Sequence, residues 1–275
     1  MEGRQRAQLV YVSKSVARRL RWAVPDLLDG ARGDSLIPPR GLAFVGGGDF
    51  ERTGQEFLGY FTELGGLEPG HDVLDVGCGV GRMAVPLLTY LDDGGSYAGF
   101  DVGKEMVRWC QKRITARRAD FKFTWAPVYN RKYNPFGTTS GAEYRFPYPD
   151  DSFDFVFATS LFTHLMLPDA SHYLREIRRV LRPTGRCLLT FFILRPEALA
   201  ELEAGRVSLD FRHPIDGGRT IDPREPEAAT GFELAPLEAM FAEAGLAIER
   251  PIRWGRWAND PDGVAGQDIV LASPA

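Results

Sequence analysis

A glycine-rich turn at residues 77–81 constrains the fold of this chain more than any other feature. The turn reads Gly-Cys-Gly-Val-Gly, follows a short apolar run (72–77) and precedes a run with helical spacing (81–91). Glycines let a chain turn tightly and let a ligand lie against bare main chain. The helix start also offers free N–H groups and a partial positive charge to an anionic group. The segment therefore predicts a nucleotide-type site at the end of a strand.

Strand-like and helix-like segments alternate from residue 70 onward, which predicts an α/β fold with βαβ units, a parallel sheet and helices on both faces. The region 195–232 is rich in Arg, Pro, Gly and Asp without periodicity, which indicates a lid or a binding insertion. A helix and two strands close the chain. The predicted strands are 72–77, 96–102, 121–126, 153–160, 186–193, 246–254 and 268–272, and the predicted helices are 81–91, 104–115, 169–181 and 234–244. The predicted divisions are 1–54 (a helix and a Gly-rich loop covering the site), 55–194 (cofactor core), 195–232 (insertion) and 233–275 (C-terminal helix and strands).

Composition excludes several classes of protein. A net charge of −4 gives no support for nucleic-acid binding. The three cysteines form no Cys/His cluster, so we expect no metal site and a reducing compartment. The sequence shows no transmembrane run and no signal-peptide core, so we expect a cytoplasmic protein, and it leaves the oligomeric state open. A basic stretch at 14–21 indicates either a helix packed on the body or one that touches an anionic surface.

Two carboxylates accompany the turn. Asp75 lies inside the strand before it, where a carboxylate can accept from the ammonium of a bound amino acid; the alternative is a turn-stabilising acid. Asp101 ends the second strand, where an acid can take both ribose hydroxyls; the alternative is a cap of the helix from Lys104. The spacing Gly-x-Gly-x-Gly followed by Arg82 departs from the dinucleotide fingerprint.

These motifs, together with Phe-Pro-Tyr-Pro-Asp-Asp-Ser-Phe-Asp (146–154) and Glu-Ile-Arg-Arg-Val-Leu-Arg-Pro-Thr-Gly (176–185), resemble the ordered motifs of class I S-adenosylmethionine-dependent methyltransferases. The resemblance covers roughly residues 55–194. It implies a Rossmann-like fold, a seven-stranded sheet in the order 3-2-1-4-5-7-6, S-adenosylmethionine as cofactor and S-adenosylhomocysteine as product. It departs from the family after the third strand, where 125–130 holds no acid for the adenine amino group. The cofactor residues that we predict are Asp75, Gly77, Cys78, Gly79, Gly81, Arg82, Asp101, Val102, Met106, Val128 and Ser160; for Met106, plain packing is the alternative.

His164 is the candidate catalytic residue. It follows the fourth strand, whose carboxyl end faces the transferred methyl in this fold. A hydroxyl acceptor must lose its proton, and a histidine near its ordinary pKa suits that step. The alternative is a histidine at a helix start that binds backbone and takes no part in the chemistry.

Aromatic rings beside Arg, Asn and Asp in several variable segments suit a polar, ring-shaped acceptor such as a sugar. For the two tryptophans, a core role is the alternative. The predicted substrate-binding residues are Arg40, Asp49, Phe50, Asn130, Tyr133, His213, Trp254 and Trp257.

A finer resemblance supports a sugar acceptor. The segment 19–30, Ile-Pro-Pro-Arg (37–40), Gly-Gly-Gly-Asp-Phe (46–50) and a histidine after the fourth strand are similar to mycobacterial sugar O-methyltransferases, in particular those that methylate the 1-OH of a mannoside in polysaccharide synthesis. Three alternatives stay open: a nicotinamide oxidoreductase, opposed by the turn spacing; a cofactor-binding module without catalysis; and a methyltransferase for a lipid or another metabolite.

Overall fold

Three parallel strands form the part of the sheet that carries the glycine-rich turn: β1 (Asp72–Val76), β2 (Ser96–Asp101) and β3 (Phe121–Trp125). In their register, Asp75 lies opposite Gly99 and Asp101 lies opposite Trp125. Residues 73–76 and 97–100 are all buried, as expected for parallel strands covered on both faces. The computed structural model of the chain describes residues 2–30, 35–43 and 48–275, so Gly46 and Gly47 of the predicted loop lie outside the described residues.

Four α-helices accompany these strands: α1 (Glu2–Gly30), α2 (Phe50–Gly59), α3 (Ala84–Tyr90) and α4 (Lys104–Cys110). Two of them continue into a π-helical turn, α2 through Tyr60–Leu64 and α4 through Gln111–Thr115. The predicted helix 104–115 therefore changes its hydrogen-bonding pattern halfway. Helix α3 begins three residues later than predicted.

Contacts divide the chain into two compact units, Met1–Glu63 with Leu67–Ser140, and Leu64–Gly66 with Gly141–Ala275. The division falls at residue 140, between the third and fourth strands.

The second unit contains β4 (Phe153–Ala158) and β5 (Leu181–Phe191), which are parallel, and helix α5 (Leu167–Val180). Near the end of the chain, α7 (Leu234–Glu243) leads into β10 (Leu246–Ile248), and β11 (Asp268–Pro274) pairs antiparallel with both β10 and β5. The predicted strand 246–254 is shorter, because a loop follows Ile248.

The seven-stranded sheet has the order β10-β11-β5-β4-β1-β2-β3. Its strands read 3-2-1-4-5-7-6 only when the strands of a second sheet are left out of the numbering. The fold is thus Rossmann-like, with a mixed, mostly parallel sheet and accompanying helices. It differs from the expected order because the strands of the second sheet come between β5 and β10 along the chain.

That second sheet corrects the prediction of an irregular insertion at 195–232. It has the order β6-β9-β8-β7 and is accompanied by a short helix. Its strands are two to four residues long, too short to show alternation in the sequence. Its members are β6 (Ile193–Leu194), β7 (His213–Ile215), β8 (Gly218–Thr220) and β9 (Thr230–Glu233), with α6 (Pro196–Glu203) between β6 and β7.

Helix α5 holds the segment before β4 through two charged side chains. Glu176 accepts from the N–H of Phe146 at 2.7 Å. Arg179 donates to Glu176, to the carbonyl oxygens of Phe146 and Tyr148, and to Asp150. The two motifs at 146–154 and 176–185 are therefore joined by direct hydrogen bonds.

Within the described ranges, no helix is long and apolar enough to cross a membrane. In the same residues, no group of three or more His, Cys, Asp or Glu side chains could hold a metal ion.

Candidate active site

The glycine-rich turn adopts a backbone that only glycine takes readily. Gly77, Gly79 and Gly81 have φ of 87°, 53° and 75°. A Cβ on Gly81 would lie 2.5 Å from Cδ1 of Ile114, so this glycine also allows close packing. A Cβ on Gly79 would meet no atom within 4 Å. The open side of the turn is therefore at Gly79.

Four of the five N–H groups of the turn, those of Gly77, Cys78, Gly79 and Gly81, donate hydrogen bonds within the protein. Gly77 and Cys78 both donate to the carbonyl oxygen of Phe100, at 2.9 and 3.0 Å, and Gly81 donates to Cys78. Helix α3 starts at Ala84, three residues after the last glycine of the turn.

Together with the glycine turn, Tyr97 and Asp101, Asp75 forms the candidate cofactor site, called the cradle below. Asp75 is 1% exposed. Its Oδ2 accepts from the Tyr97 hydroxyl at 2.7 Å, whereas its buried Oδ1 has no hydrogen-bond partner among the described residues. Burial raises the pKa of Asp75 to about 8, with the Tyr97 hydrogen bond opposing that rise and the charge of Asp101 adding to it. A buried acceptor without a donor costs free energy that a cationic ligand group would recover.

Asp101 links the turn to the loop after β2. Its Oδ2 accepts from Gly79 N at 2.9 Å and its Oδ1 from Gly103 N at 2.6 Å. Burial raises the pKa of Asp101, and these two hydrogen bonds oppose the rise. Gly103 is the N-cap of α4 and has no side-chain cap, so Asp101 binds the cap residue's own N–H and does not cap the helix.

The residues predicted beside the adenine surround this loop. Met106 is 4% exposed, and its Cε would lie 2.0 Å from a Cβ on Gly103. The carbonyl oxygen of Val102 accepts from Trp125 Nε1 at 3.0 Å. Val128 is buried, and its carbonyl oxygen accepts from Asn134 Nδ2 at 2.9 Å. These hydrogen bonds fix the main chain of the loop after β2, at Val102, and of the loop after β3, at Val128.

Asp49, Phe50 and Arg82 come together at the start of α2. Asp49 is the N-cap, and its Oδ1 accepts from Arg52 N at 2.8 Å. The guanidinium of Arg82 lies 5.6 Å from the centre of the Phe50 ring. Burial lowers the pKa of Arg82 and the charge of Asp49 opposes this. The predicted cofactor and substrate residues of this segment are thus neighbours.

Other predicted substrate residues of the first unit have local partners. Arg40 is exposed, with its guanidinium 5.4 Å from the Trp22 ring. Asn130 Oδ1 accepts from the N–H groups of Lys132 and Tyr133, so the side-chain carbonyl of Asn130 closes a turn.

In the second unit, His164 ends a 3₁₀ turn (Phe162–His164) that follows β4. Its Nδ1 lies 2.9 Å from the carbonyl oxygen of Glu227. Since a carbonyl oxygen only accepts, Nδ1 carries the proton, and in the neutral ring Nε2 carries the lone pair. The alternative interpretation of His164 is a histidine bound to backbone without a chemical role, and such a hydrogen bond is present. The same hydrogen bond leaves Nε2 in the form that a general base needs.

Ser160 lies at the end of β4 with φ of 58°, an uncommon conformation for a residue with a side chain. Its N–H donates to Thr190 Oγ1 at 2.7 Å, and its hydroxyl lies 3.2 Å from Oε1 of Gln267. The hydroxyl of Thr190 donates to the same Oε1 at 2.7 Å. Side chains from three segments thus hold this strained corner.

Trp257 takes the core role that the sequence left as an alternative. Its ring centre lies 5.3 Å from that of Phe192 and 5.6 Å from that of Phe211, and its Nε1 donates to Asp268 at 2.8 Å. Trp254 differs, because the Arg195 guanidinium lies 4.7 Å from the centre of its ring.

In the first unit, a hydrogen bond joins Asp101 to the glycine turn, and Asp75 lies near enough to Asp101 for that charge to raise the pKa of Asp75. His164 and Ser160 belong to the second unit. His213 starts β7 and pairs with Thr220 there. Sequence analysis missed Tyr97, although an aromatic hydroxyl on the strand that pairs with β1 was a usable signal. It also missed the Glu227 carbonyl, for which no side-chain signal exists.

The first unit fits S-adenosylmethionine. The unpartnered Oδ1 of Asp75 suits the ammonium of the methionine part, and Asp101 retains lone pairs for ribose hydroxyls. The open face of Gly79 lets a ligand approach the main chain.

Comparison with known proteins agrees with this fit. Residues 74–189 match the family model described as a methyltransferase domain. The chain is 34% identical over 204 residues to 27-O-demethylrifamycin SV methyltransferase of Amycolatopsis mediterranei, covering 74% of this chain and 66% of the relative. It is 30% identical over 196 residues to nocamycin O-methyltransferase of Saccharothrix syringae, covering 69% and 61%. The chain spans less than two thirds of the length of either relative. Further matched relatives are named as carbon or nitrogen methyltransferases.

Among solved structures, PH0226 from Pyrococcus horikoshii OT3 shares the fold, with a TM-score of 0.57 at 16% identity over 85% of this chain and 95% of that one. The cradle around Asp75, the matched domain and these relatives agree, and the chain belongs to the class I S-adenosylmethionine-dependent methyltransferases.

Proposed function

We propose that this protein transfers a methyl group from S-adenosylmethionine to a hydroxyl oxygen of a small-molecule acceptor. The observation that carries the proposal is the buried Asp75 carboxyl, whose free Oδ1 lies beside a glycine turn of the family's type. When bound, the cofactor supplies a methyl group on a sulfonium, which is a good leaving group. The protein's task is to hold the reactants in line and away from water, an effect worth up to about 7–11 kcal/mol.

In this proposal, Asp75 binds the ammonium of the cofactor and Asp101 binds its ribose hydroxyls. Both carboxyls have their pKa raised by burial, so each gains from a positive or donating ligand group. Main-chain groups of 126–128 replace the acid that the family often places beside the adenine, and Met106 and Val102 flank the ring. Arg82 and Phe50 close the side of the site at the start of α2.

His164 is the proposed general base. The Glu227 carbonyl fixes the proton on Nδ1, so Nε2 accepts the proton that the acceptor hydroxyl loses as its oxygen attacks the methyl carbon. A base is needed for an alcohol acceptor and not for a neutral amine, whose lone pair is already available. This difference favours oxygen over the nitrogen acceptors named for some relatives.

A saccharide is the acceptor class we propose to test first, including the 1-OH of a methylated mannoside. The exposed Arg40, whose guanidinium lies 5.4 Å from the centre of the Trp22 ring, supports it, because such a pair offers an apolar ring face beside a donor for hydroxyls. The names of the rifamycin and nocamycin relatives support a hydroxylated natural product as the second class.

Calorimetry with S-adenosylhomocysteine, and with NADH as the competing ligand, tests the cofactor. We expect binding of the sulfur ligand alone. Binding of NADH in its place would reject the proposal in favour of an oxidoreductase.

An acceptor screen by mass spectrometry, read as a gain of one methyl group, tests the chemistry. For a hydroxyl acceptor, we expect His164→Ala to lower kcat by about 10²–10⁴-fold while the affinity for S-adenosylhomocysteine stays unchanged. His172→Ala is the matched control, because His172 binds the carbonyl oxygen of Tyr144 through Nε2 and lies in α5. Full turnover of the His164 variant would show that the base assignment is wrong.

A further inference from the structure

Helix α1 carries a stripe of exposed apolar side chains along one face. Leu9 and Leu20 are each 73% exposed, Val12 is 48% exposed and Val16 is 50% exposed. At 3.6 residues per turn these four positions fall within about 80° of arc, and they extend over about 17 Å of helix. A contiguous row of exposed Leu and Val side chains on one helix face indicates a binding surface.

The opposite face of α1 is packed on the first unit. Ala7 is 8% exposed, Gln8 donates to the carbonyl oxygen of Pro135 at 3.1 Å, and Arg18 Nε donates to that of Gly41 at 2.7 Å. These contacts fix the rotation of the helix about its axis. One of the two interpretations of the basic stretch, a helix packed on the body of the protein, therefore holds for this face of α1. The apolar stripe on the other face points outward.

The charge of α1 is one-sided in sign. Residues 3–23 hold six basic side chains and no acidic one, in a chain whose net charge is −4. Among these, Arg6, Lys14 and Arg21 are exposed. The six are Arg4, Arg6, Lys14, Arg18, Arg19 and Arg21.

We propose that this face of α1 docks on an anionic lipid membrane surface. The apolar stripe would enter the boundary between headgroups and acyl chains. The exposed Arg6 beside the stripe, and Lys14 and Arg21 farther round the helix on the same side, would attract the lipid phosphates. A second copy of the chain fits this face less well, because two identical helices would bring like charges together. The proposal goes beyond methyl transfer, since it concerns where the protein binds and not what it methylates.

The test is co-sedimentation of the full chain with vesicles of pure phosphatidylcholine and of phosphatidylcholine with phosphatidylglycerol. We expect binding to the anionic vesicles, weakened by raising NaCl from about 0.05 to 0.5 M because salt screens surface charge. The double variant Leu9→Gln, Leu20→Gln should lower the partition coefficient at least about tenfold. The double variant Arg6→Gln, Lys14→Gln should lower it about fivefold per charge.

Lys112→Gln, Lys122→Gln is the matched control, because both lysines are exposed and lie outside α1. It should leave the partition coefficient within twofold of the parent value. Circular dichroism and the affinity for S-adenosylhomocysteine establish that each variant is folded.

Three results would overturn the proposal: no binding to anionic vesicles, equal binding to neutral vesicles, or equal loss in the control variant. Sedimentation velocity adds a fourth. If the parent chain is a dimer that the Leu9, Leu20 variant dissociates while vesicle binding is unchanged, the face belongs to a second copy.

Discussion

At the scale of single residues, the unusual group is the buried carboxyl of Asp75, which accepts one side-chain hydrogen bond from the described residues. The donor is the hydroxyl of Tyr97, which binds no other side chain among the described residues. Burial is the main cause of the rise in the pKa of Asp75 to about 8, so near neutral pH the carboxyl of the ligand-free protein is largely protonated. An ammonium ion at Oδ1 reverses that balance, so cofactor binding should release a proton.

We therefore predict that the affinity for S-adenosylhomocysteine rises by up to about tenfold per pH unit between pH 6 and 8, and levels off above pH 8. The sign follows because binding favours the ionised carboxylate, whose fraction grows with pH up to its pKa. Calorimetry in buffers of different ionisation enthalpy would count the released proton.

Asp75→Asn should bind S-adenosylhomocysteine more weakly and without this pH dependence. Tyr97→Phe should move the rise to higher pH, since it removes the hydroxyl whose hydrogen bond lowers the pKa of Asp75. A pH-independent affinity in the parent protein would contradict the assignment.

At the scale of elements, two charged side chains of α5 hold the segment that leads into β4. Burial raises the pKa of Glu176, but the hydrogen bonds from Arg179 and Phe146 N–H and the charge of Arg179 outweigh it, and the net pKa is lowered. Arg179 makes five hydrogen bonds to the segment 146–150 and to Glu176. The entry into β4 thus depends on one guanidinium of α5.

Arg179→Gln should lower the free energy of unfolding by about 2–3 kcal/mol, somewhat below the cost of breaking a fully buried pair, because its side chain is 14% exposed. Urea unfolding at pH 7 measures this. Arg175→Gln on the same helix is the control, since Arg175 is exposed and should change stability by less than about 0.5 kcal/mol. Equal effects of the two substitutions would refute the role given to Arg179.

How far the sequence predicts these elements depends on their length. Strands β1 to β4 have five or six residues, and their predicted positions agree with the structure within two residues. Strand β5 starts at Leu181, five residues before the predicted start at 186. Strands β6 to β9 have two to four residues, so no period was visible, and the region 195–232 was mistaken for an irregular insertion. In the site, Asp75 and the glycines were predictable because their chemistry resides in side-chain type and backbone freedom. The carbonyl of Glu227 was not, because every residue has one.

At the scale of the whole molecule, one buried carboxyl of the second unit joins β11 of the main sheet to β6 of the second sheet. Asp268 starts β11 in the main sheet and accepts from Gly255 N and Ile193 N, each at 2.7 Å, and from Trp257 Nε1 at 2.8 Å. Ile193 starts β6 of the second sheet. Burial raises the pKa of Asp268 to about 6, with these three donors and the charge of Arg195 opposing the rise.

Asp268→Asn should lower the free energy of unfolding by about 1–3 kcal/mol at pH 7, because an amide NH₂ cannot accept from the donors at its position. The raised pKa means that the folded state holds more protons than the unfolded state between about pH 4 and 6. The stabilisation from this group is complete below pH 4 and is lost as the pH rises through 6. Denaturant melts at pH 5 and 7.5 should therefore show the larger difference at pH 5. The exposed Asp262→Asn is the control, and an unchanged midpoint for Asp268→Asn would remove the carboxyl from this role.

The enclosure of Trp257 between Phe192 and Phe211 has a spectroscopic consequence. Its indole is in an aromatic cluster of the second unit. Trp22, on α1 in the first unit, has the guanidinium groups of Arg21 and Arg40 at 5.3 and 5.4 Å from its ring centre. A chain that keeps Trp257 alone among its five tryptophans would give an emission signal for the packing of the second sheet. One that keeps Trp22 alone would report on the environment of α1. The two units thus carry separate optical probes, and their unfolding can be followed independently in one protein.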